Sequence, residues 1–280
     1  MKVSYYPGCS LHGTALEYDE STQAVCRLLG VELHELPDWN CCGASSAHVT
    51  DESLATRLAA RNLAIAGKQG MDLLVPCAAC YSRFKAAESE MAGGHGTPVS
   101  KESYRVLNSL EFVVAPELME RVQTQKKRSL EGLKVACYYG CLLVRPPKIT
   151  GAKSYENPAE MDRLMKALGA ESVPWSYKTD CCGGSLVLTR TDIVLRLTQK
   201  LLDKAGEAGA EAIVAACPLC QSNLDSRQEE ISREAGRSYE LPIFYFTELM
   251  GLAMGHRDAG KWFKRHFTDP RKLLASKGLI

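Results

Sequence analysis

The chain has 280 residues and a net charge of +1, with 45% hydrophobic and 24% charged residues. That balance belongs to a globular protein with a sizeable core, folded as one large domain or two of ordinary size. Near-neutral charge argues against nucleic acid or an anionic membrane as the main partner. The opening MKVSYYPGCS lacks an apolar signal region and no stretch is long and apolar enough to span a bilayer, so the expected location is the cytoplasm.

In chain order, a β-rich run over 3–6 leads to Pro7, Gly8 and Cys9. A helix is predicted over 14–29, stopped by Gly30, then a strand over 31–36 and a loop carrying Cys41, Cys42 and Gly43. A second helix is predicted over 51–68 and closed by Gly70, with Leu54, Leu58, Leu63 and Ile65 on its apolar face. The apolar strand 73–76 delivers the chain to Cys77 and Cys80, where a further helix begins. A turn is expected at 93–98, and 123–129 reads as a polar, basic linker or exposed helix end.

The second half repeats this order. A strand over 133–139 leads to Gly140 and Cys141, and a helix over 159–168 ends at Gly169. A strand near Val173 precedes Cys181, Cys182, Gly183 and Gly184; a helix over 191–205 and a strand over 212–216 then lead to Cys217 and Cys220. Strands alternating with helices imply the α/β class with parallel sheets. In such sheets ligands sit beyond the carboxyl ends of the strands, where the cysteine groups fall. The expected units are 1–130, 131–254 and a C-terminal extension, 255–280. That extension holds seven Lys or Arg against two Asp. It reads either as a solvated terminal helix or as a docking surface for an acidic partner or anionic ligand.

Ten of the twelve cysteines form two copies of one pattern. Cys9 is followed after 31 residues by Cys41, Cys42 and Gly43, and after 33 more by Cys77 and Cys80. Cys141 is followed after 39 residues by Cys181, Cys182 and Gly183, and again after 33 by Cys217 and Cys220. In a reducing cytosol such thiols serve metal or redox chemistry better than a disulfide framework. Thiolate sets hold zinc or iron–sulfur clusters. Five thiols per copy leave one over from a four-thiolate site, and adjacent side chains such as Cys41 and Cys42 are expected to diverge. Both points favour a polynuclear cluster over zinc, which stays as an alternative. Gly43 and Gly183 are expected to relieve the backbone after each pair. Cys26 and Cys137 have no counterparts and read as small buried hydrophobes. The Gly-Cys dipeptide aligns Cys141, rather than Cys137, with Cys9. Tyr5, Tyr6, His12, Asn40 and His48 flank the first motif; Arg145, Lys178, Asp180 and Ser185 flank the second. Of these, His12, His48, Arg145 and Lys178 are candidate substrate contacts, as cations for an acidic group or proton donors to a leaving thiolate.

The two motifs resemble the duplicated cysteine-rich CCG domain of the B-type subunits of heterodisulfide reductases and their relatives, over most of the chain from Cys9 to Cys220. The resemblance implies two pseudo-symmetric α/β domains whose cysteine loops face a shared cleft. It implies two non-cubane [4Fe–4S] clusters, one on Cys9, Cys41, Cys42, Cys77 and Cys80, the other on Cys141, Cys181, Cys182, Cys217 and Cys220. It further implies reduction or formation of a disulfide of small thiols, one electron coming from each cluster. The chain has no ferredoxin-type cysteine run and no GxGxxG flavin fingerprint, so electrons must come from other polypeptides. The partners implied are the family's ferredoxin-like iron–sulfur (C-type) and flavin-containing (A-type) subunits. CCG domains also occur in electron-transfer subunits of flavin-dependent oxidoreductases, and that reading stays open.

Overall fold

The computed structural model describes residues 1–44, 47–92 and 104–280; the turn expected at 93–98 lies outside the described residues. The first sheet contains β1 (Lys2–Tyr5), β2 (Glu32–Glu35), β3 (Leu73–Val75) and β4 (Val106–Asn108), in the spatial order β2-β1-β3-β4. The second contains β5 (Lys134–Tyr138), β6 (Glu171–Ser172), β7 (Ala212–Ala215) and β8 (Ile243–Tyr245), in the order β6-β5-β7-β8. Every pairing is parallel, with Tyr5 opposite Leu74 in one sheet and Tyr138 opposite Ala215 in the other. The central strands β3 and β7 are buried at every residue, as parallel strands covered on both faces must be. The edge strand β2 (Glu-Leu-His-Glu) is left partly exposed.

The sequence-predicted helices form within a few residues of expectation because their stop signals hold. Helix Leu16–Leu28 ends before Gly30, whose φ is +70°. Helix Glu52–Gln69 is capped by the Asp51 carboxylate, which accepts from the Leu54 N–H, and ends at Gly70 in the left-handed region. Its buried face is a correction. Ala55, Ala59, Asn62, Leu63 and Ala66 point inward, whereas Leu54 is exposed and Leu58 and Ile65 are only half-buried. The alanines allow close approach of the neighbouring helix Ala78–Ala92.

The two halves exchange helices. Helix Phe246–Ala253, which follows the last strand of the second half, packs on Leu16–Leu28 of the first. There Ser21 Oγ lies 2.7 Å from Thr247 Oγ1, and the Tyr18 and Tyr245 rings stack 4.1 Å apart. Helices Ser109–Val113 and Pro116–Gln125 pack in turn on Glu160–Leu168 of the second half. The segment expected as a linker at 123–129 lies on this exchange: Lys126 donates to the Ala167 carbonyl, and the N–H groups of Lys127 and Arg128 donate to that of Ala253.

The reading of 255–280 as a solvated helix is corrected. Trp262, Phe263, His266, Leu274 and Leu279 are buried in the common core. Five of the seven cations are ion-paired, Arg265 with Glu20 on helix Leu16–Leu28 and Lys277 with Glu211 among them. Replacing Trp262 by Ala should therefore lower the unfolding free energy by about 3–5 kcal/mol in a denaturant titration; an unchanged midpoint would mean that the segment is not part of the core.

His266 is the buried charge of this segment. Its Nε2 lies 2.8 Å from Glu248 Oε1, and both side chains are fully buried. Burial disfavours the imidazolium, but the carboxylates of Glu248, Asp225 and Glu17 outweigh it and hold the pKa up at about 9. A folded-state pKa above the unfolded value near 6.5 means that the contribution is complete below about pH 6.5. It is lost as pH rises through 9. Melting temperature should accordingly fall between about pH 6.5 and 9, and His266→Gln should flatten that slope.

Candidate metal centre

In both sheets the strand order reverses between the first strand and its inner neighbour. The chain leaves β1 for β2 on one side, then crosses back to β3 on the other. Loops from such strands diverge to opposite faces and open a crevice at the carboxyl ends. The cysteines fall there: Cys9 after β1, Cys41 and Cys42 after β2, Cys77 after β3, and Cys141, Cys181, Cys182 and Cys217 at the corresponding places. Cys80 and Cys220 lie in the first turns of helices Ala78–Ala92 and Pro218–Ser226.

The sulfurs meet in a chain of hydrogen-bond contacts. In the first half Cys9 meets Cys41, Cys41 meets Cys42, Cys42 meets Cys80 at 3.0 Å, and Cys80 meets Cys77. In the second, Cys141 meets Cys181, Cys182 meets Cys220 at 3.6 Å, and Cys220 meets Cys217. Cys77 and Cys217 touch across the two halves, so the sets share one seam. Cys9, Cys41 and Cys181 are exposed and Cys141 half-buried, while the other six are buried. Among the described residues no three Cys, His, Asp or Glu are disposed to hold a single metal ion.

These thiols share protons. Hydrogen bonds from Cys42 and Cys9, together with the Gly43 N–H, push Cys41 down to about 2. The Cys141 thiol and the Gly183 N–H bring Cys181 down to about 6 against burial. Cys220 and Cys77 stabilise the Cys217 thiolate well below the usual thiol range. The donors shift in the opposite direction: Cys42 rises to about 12, and Cys9, Cys77, Cys80, Cys141 and Cys220 also rise, each chiefly through its bond to a neighbouring sulfur. Such a group titrates as a unit, and loading it with metal must release protons.

Glycines and tyrosines shape each loop. Gly8, Gly43, Gly140 and Gly183 all have φ between +67° and +81°. A Cβ on Gly140 would lie 3.0 Å from Cys220 Sγ, and one on Gly8 3.4 Å from Cys80 Sγ. Tyr6 donates to the Asn40 carbonyl at 2.9 Å and Tyr138 to the Asp180 carbonyl at 2.6 Å, so each phenol straps the residue preceding a Cys-Cys pair. Both tyrosines stand three residues before their Gly-Cys cysteine. That shared position was the available signal for a role beyond flanking.

The candidate contacts separate. His12 is exposed, 3.4 Å from Glu35 and edge-on to Trp39. His48, in the short helix Ala47–Thr50, is half-buried with Nδ1 unpartnered among the described residues. Arg145 is exposed and reaches Thr179 Oγ1 at 3.1 Å. Lys178 is buried and committed to Asp162 Oδ1 and the Pro158 carbonyl, both at 3.0 Å. Asp180 pairs with Lys200, Ser185 is exposed, and Tyr5 is buried against Asp19. Cys26 and Cys137 are buried away from the sets, and burial lifts each thiol to about 12.

Two parallel sheets, each holding a five-thiol set at its strand-order reversal, define a duplicated cysteine-rich protein. The CCG cysteine-rich domain family matches residues 3–85 and 135–225, and the chain belongs to it. It is 34% identical over 264 residues to the 8-methylmenaquinol:fumarate reductase membrane anchor subunit of Wolinella succinogenes, covering 91% of this chain and 92% of that one. It is 28% identical over 268 residues to the B subunit of the ferredoxin:CoB-CoM heterodisulfide reductase of Methanosarcina mazei, covering 91% and 89%. Against the probable glycolate oxidase iron-sulfur subunit of Bacillus subtilis it is 23% identical over 261 residues, covering 91% and 55%. A solved structure, a hypothetical protein from Helicobacter pylori, shares the fold with a TM-score of 0.68 at 12% identity, covering 96% of this chain and 52% of that one. Among the described residues no helix is long and apolar enough to cross a membrane.

The residues fit an iron–sulfur group. The donors are all sulfur, as such clusters use, and the left-handed Gly8 and Gly140 keep Cβ atoms away from the Cys80 and Cys220 sulfurs. Gly140→Ala should destabilise the protein by about 1–2 kcal/mol through backbone strain alone. Denaturant unfolding compared with Gly151→Ala, where a Cβ meets nothing within 4 Å, separates that strain from the crowding of Cys220.

Proposed function

We propose that this chain is the iron–sulfur catalytic subunit of a heterodisulfide reductase-like complex. Cys9, Cys41, Cys42, Cys77 and Cys80 hold one non-cubane [4Fe–4S] cluster, and Cys141, Cys181, Cys182, Cys217 and Cys220 hold the other. The clusters supply two electrons, one each, for reduction of a disulfide of small thiols or its formation in reverse. The observation that carries this reading is that both five-thiol sets are complete and meet at Cys77 and Cys217. Two one-electron centres on one seam suit a two-electron bond.

The chain's own groups bind and orient. The exposed side of each set, at Cys9, Cys41 and Cys181, is where a substrate approaches. His12 and Arg145 are the exposed candidates to meet its polar ends, His12 as proton donor and Arg145 as anion partner. Electrons enter from two further polypeptides, one ferredoxin-like with its own iron–sulfur centres and one containing flavin, and the complex works in the cytoplasm. A second reading is supported by the 34% identity to a component of a fumarate reductase. In it the clusters only carry electrons for a flavin-dependent oxidoreductase.

Anaerobically purified protein should contain about eight iron atoms with matching acid-labile sulfide and no zinc, and Cys42→Ala or Cys182→Ala should each remove roughly half of the iron. Titrating oxidised protein with low-molecular-weight thiols should produce a new paramagnetic state. Full iron content with indifference to every thiol would favour the electron-transfer reading, and zinc in place of iron would overturn both.

A further inference from the structure

Tyr18 belongs to helix Leu16–Leu28 of the first half and is completely buried. Its phenol oxygen lies 3.4 Å from the Pro76 carbonyl and 3.3 Å from the Ala216 carbonyl. Those residues immediately precede Cys77 and Cys217, the two thiols that touch across the halves. A phenol has one proton, and either hydroxyl can donate in the 2.7 Å contact with Ser109 Oγ; with Ser109 as donor, the two carbonyls share the phenol proton.

The ring cannot swing away. Tyr245 stacks on it at 4.1 Å with the planes 2° apart, and Phe246 lies edge-on. Tyr245 is fixed in turn by the Glu248 carboxylate on its N–H and by its own hydroxyl, which donates to Gln221, the residue after Cys220. Tyr6 and Tyr138 each strap a loop within one half. Tyr18 bonds both halves at once.

We infer that Tyr18 is a positioning residue whose hydroxyl ties the strand end before Cys77 to the strand end before Cys217 and so sets the separation of the two thiol sets. The inference rests on the two-cluster reading for its catalytic meaning, but the tie itself is a property of the protein chain. Two centres serving one bond tolerate little change in spacing, since a displacement of about 1 Å can cost on the order of a hundredfold in rate.

The test compares wild type, Tyr18→Phe, Ser109→Ala and, as a control within one half, Tyr104→Phe, whose hydroxyl donates to the Leu63 carbonyl at 2.7 Å. Phenylalanine keeps the stacked ring and removes only the hydroxyl, and Ser109→Ala serves if Tyr18→Phe does not fold. In iron-loaded protein, Tyr18→Phe should retain full iron while the EPR spin–spin interaction between the reduced clusters changes. Disulfide turnover should fall about tenfold or more with KM nearly unchanged. Tyr104→Phe should leave that spin–spin interaction intact. In metal-free protein oxidised with diamide, peptide mapping should find a Cys77–Cys217 disulfide in wild type and most of it lost in Tyr18→Phe. An unaltered spin–spin interaction and an undiminished disulfide yield in Tyr18→Phe would overturn the positioning role while leaving the cluster reading intact. A wild type that takes up no iron would remove the cluster reading, and the disulfide yield would still decide the role of Tyr18.

Discussion

The molecule depends on two separate parallel sheets being held with the carboxyl ends of their inner strands against each other. Parallel strands cannot be joined by tight turns, so every strand end opens into a loop, and loops diverge where the strand order reverses. One such crevice gathers five thiols. Holding two crevices together is a different problem, because thiol contacts alone are too weak to fix two domains. The helix exchange solves it. Each half lends helices to the apolar surface of the other, and the contact between Cys77 and Cys217 is set by a buried core rather than by the cysteines themselves.

Within each half the same devices recur: a left-handed glycine before the first cysteine, another after the Cys-Cys pair, and a tyrosine strapping the backbone between them. What differs is the stretch between the first cysteine and the pair, 39 residues in the second half against 31 in the first. The longer one contains helix Pro147–Thr150 and supports the buried Lys178–Asp162 pair, so the second loop rests on an ionic prop. Around the first pair the corresponding work falls to Asn40, Asn62 and Arg61, whose bonds are neutral or solvent-exposed. The asymmetry also marks the thiols. Cys41 is driven further down than Cys181 because two sulfurs rather than one donate to it.

Much of this was legible in the sequence, for identifiable reasons. Positive-φ glycines and the two repeated spacers are local signals, and they located the helix ends, the loops and the thiol sets. Strands β4 and β8 have no signature in the sequence, because no cysteine group follows them and a run as short as Val106–Asn108 has too little periodicity to stand alone. The buried face of Glu52–Gln69 departs from the leucine pattern because alanine contributes little to an apolar pattern yet packs closest. Residues 255–280 looked like a charged tail because cations outnumber the few large apolar residues, and pairing of Arg265 with Glu20, 245 positions away, has no local signature. Tyr18 is invisible for the same reason. Its partners lie 58, 91 and 198 residues away.

The exchanged helices also order events during synthesis. Helix Leu16–Leu28 leaves the ribosome well before the helix that covers it, Phe246–Ala253. Until then the first half exposes an apolar stripe and reduced thiols together. Contacts this distant in sequence form slowly and leave aggregation-prone surface open meanwhile. Each half therefore reaches its buried state only once the other has been made.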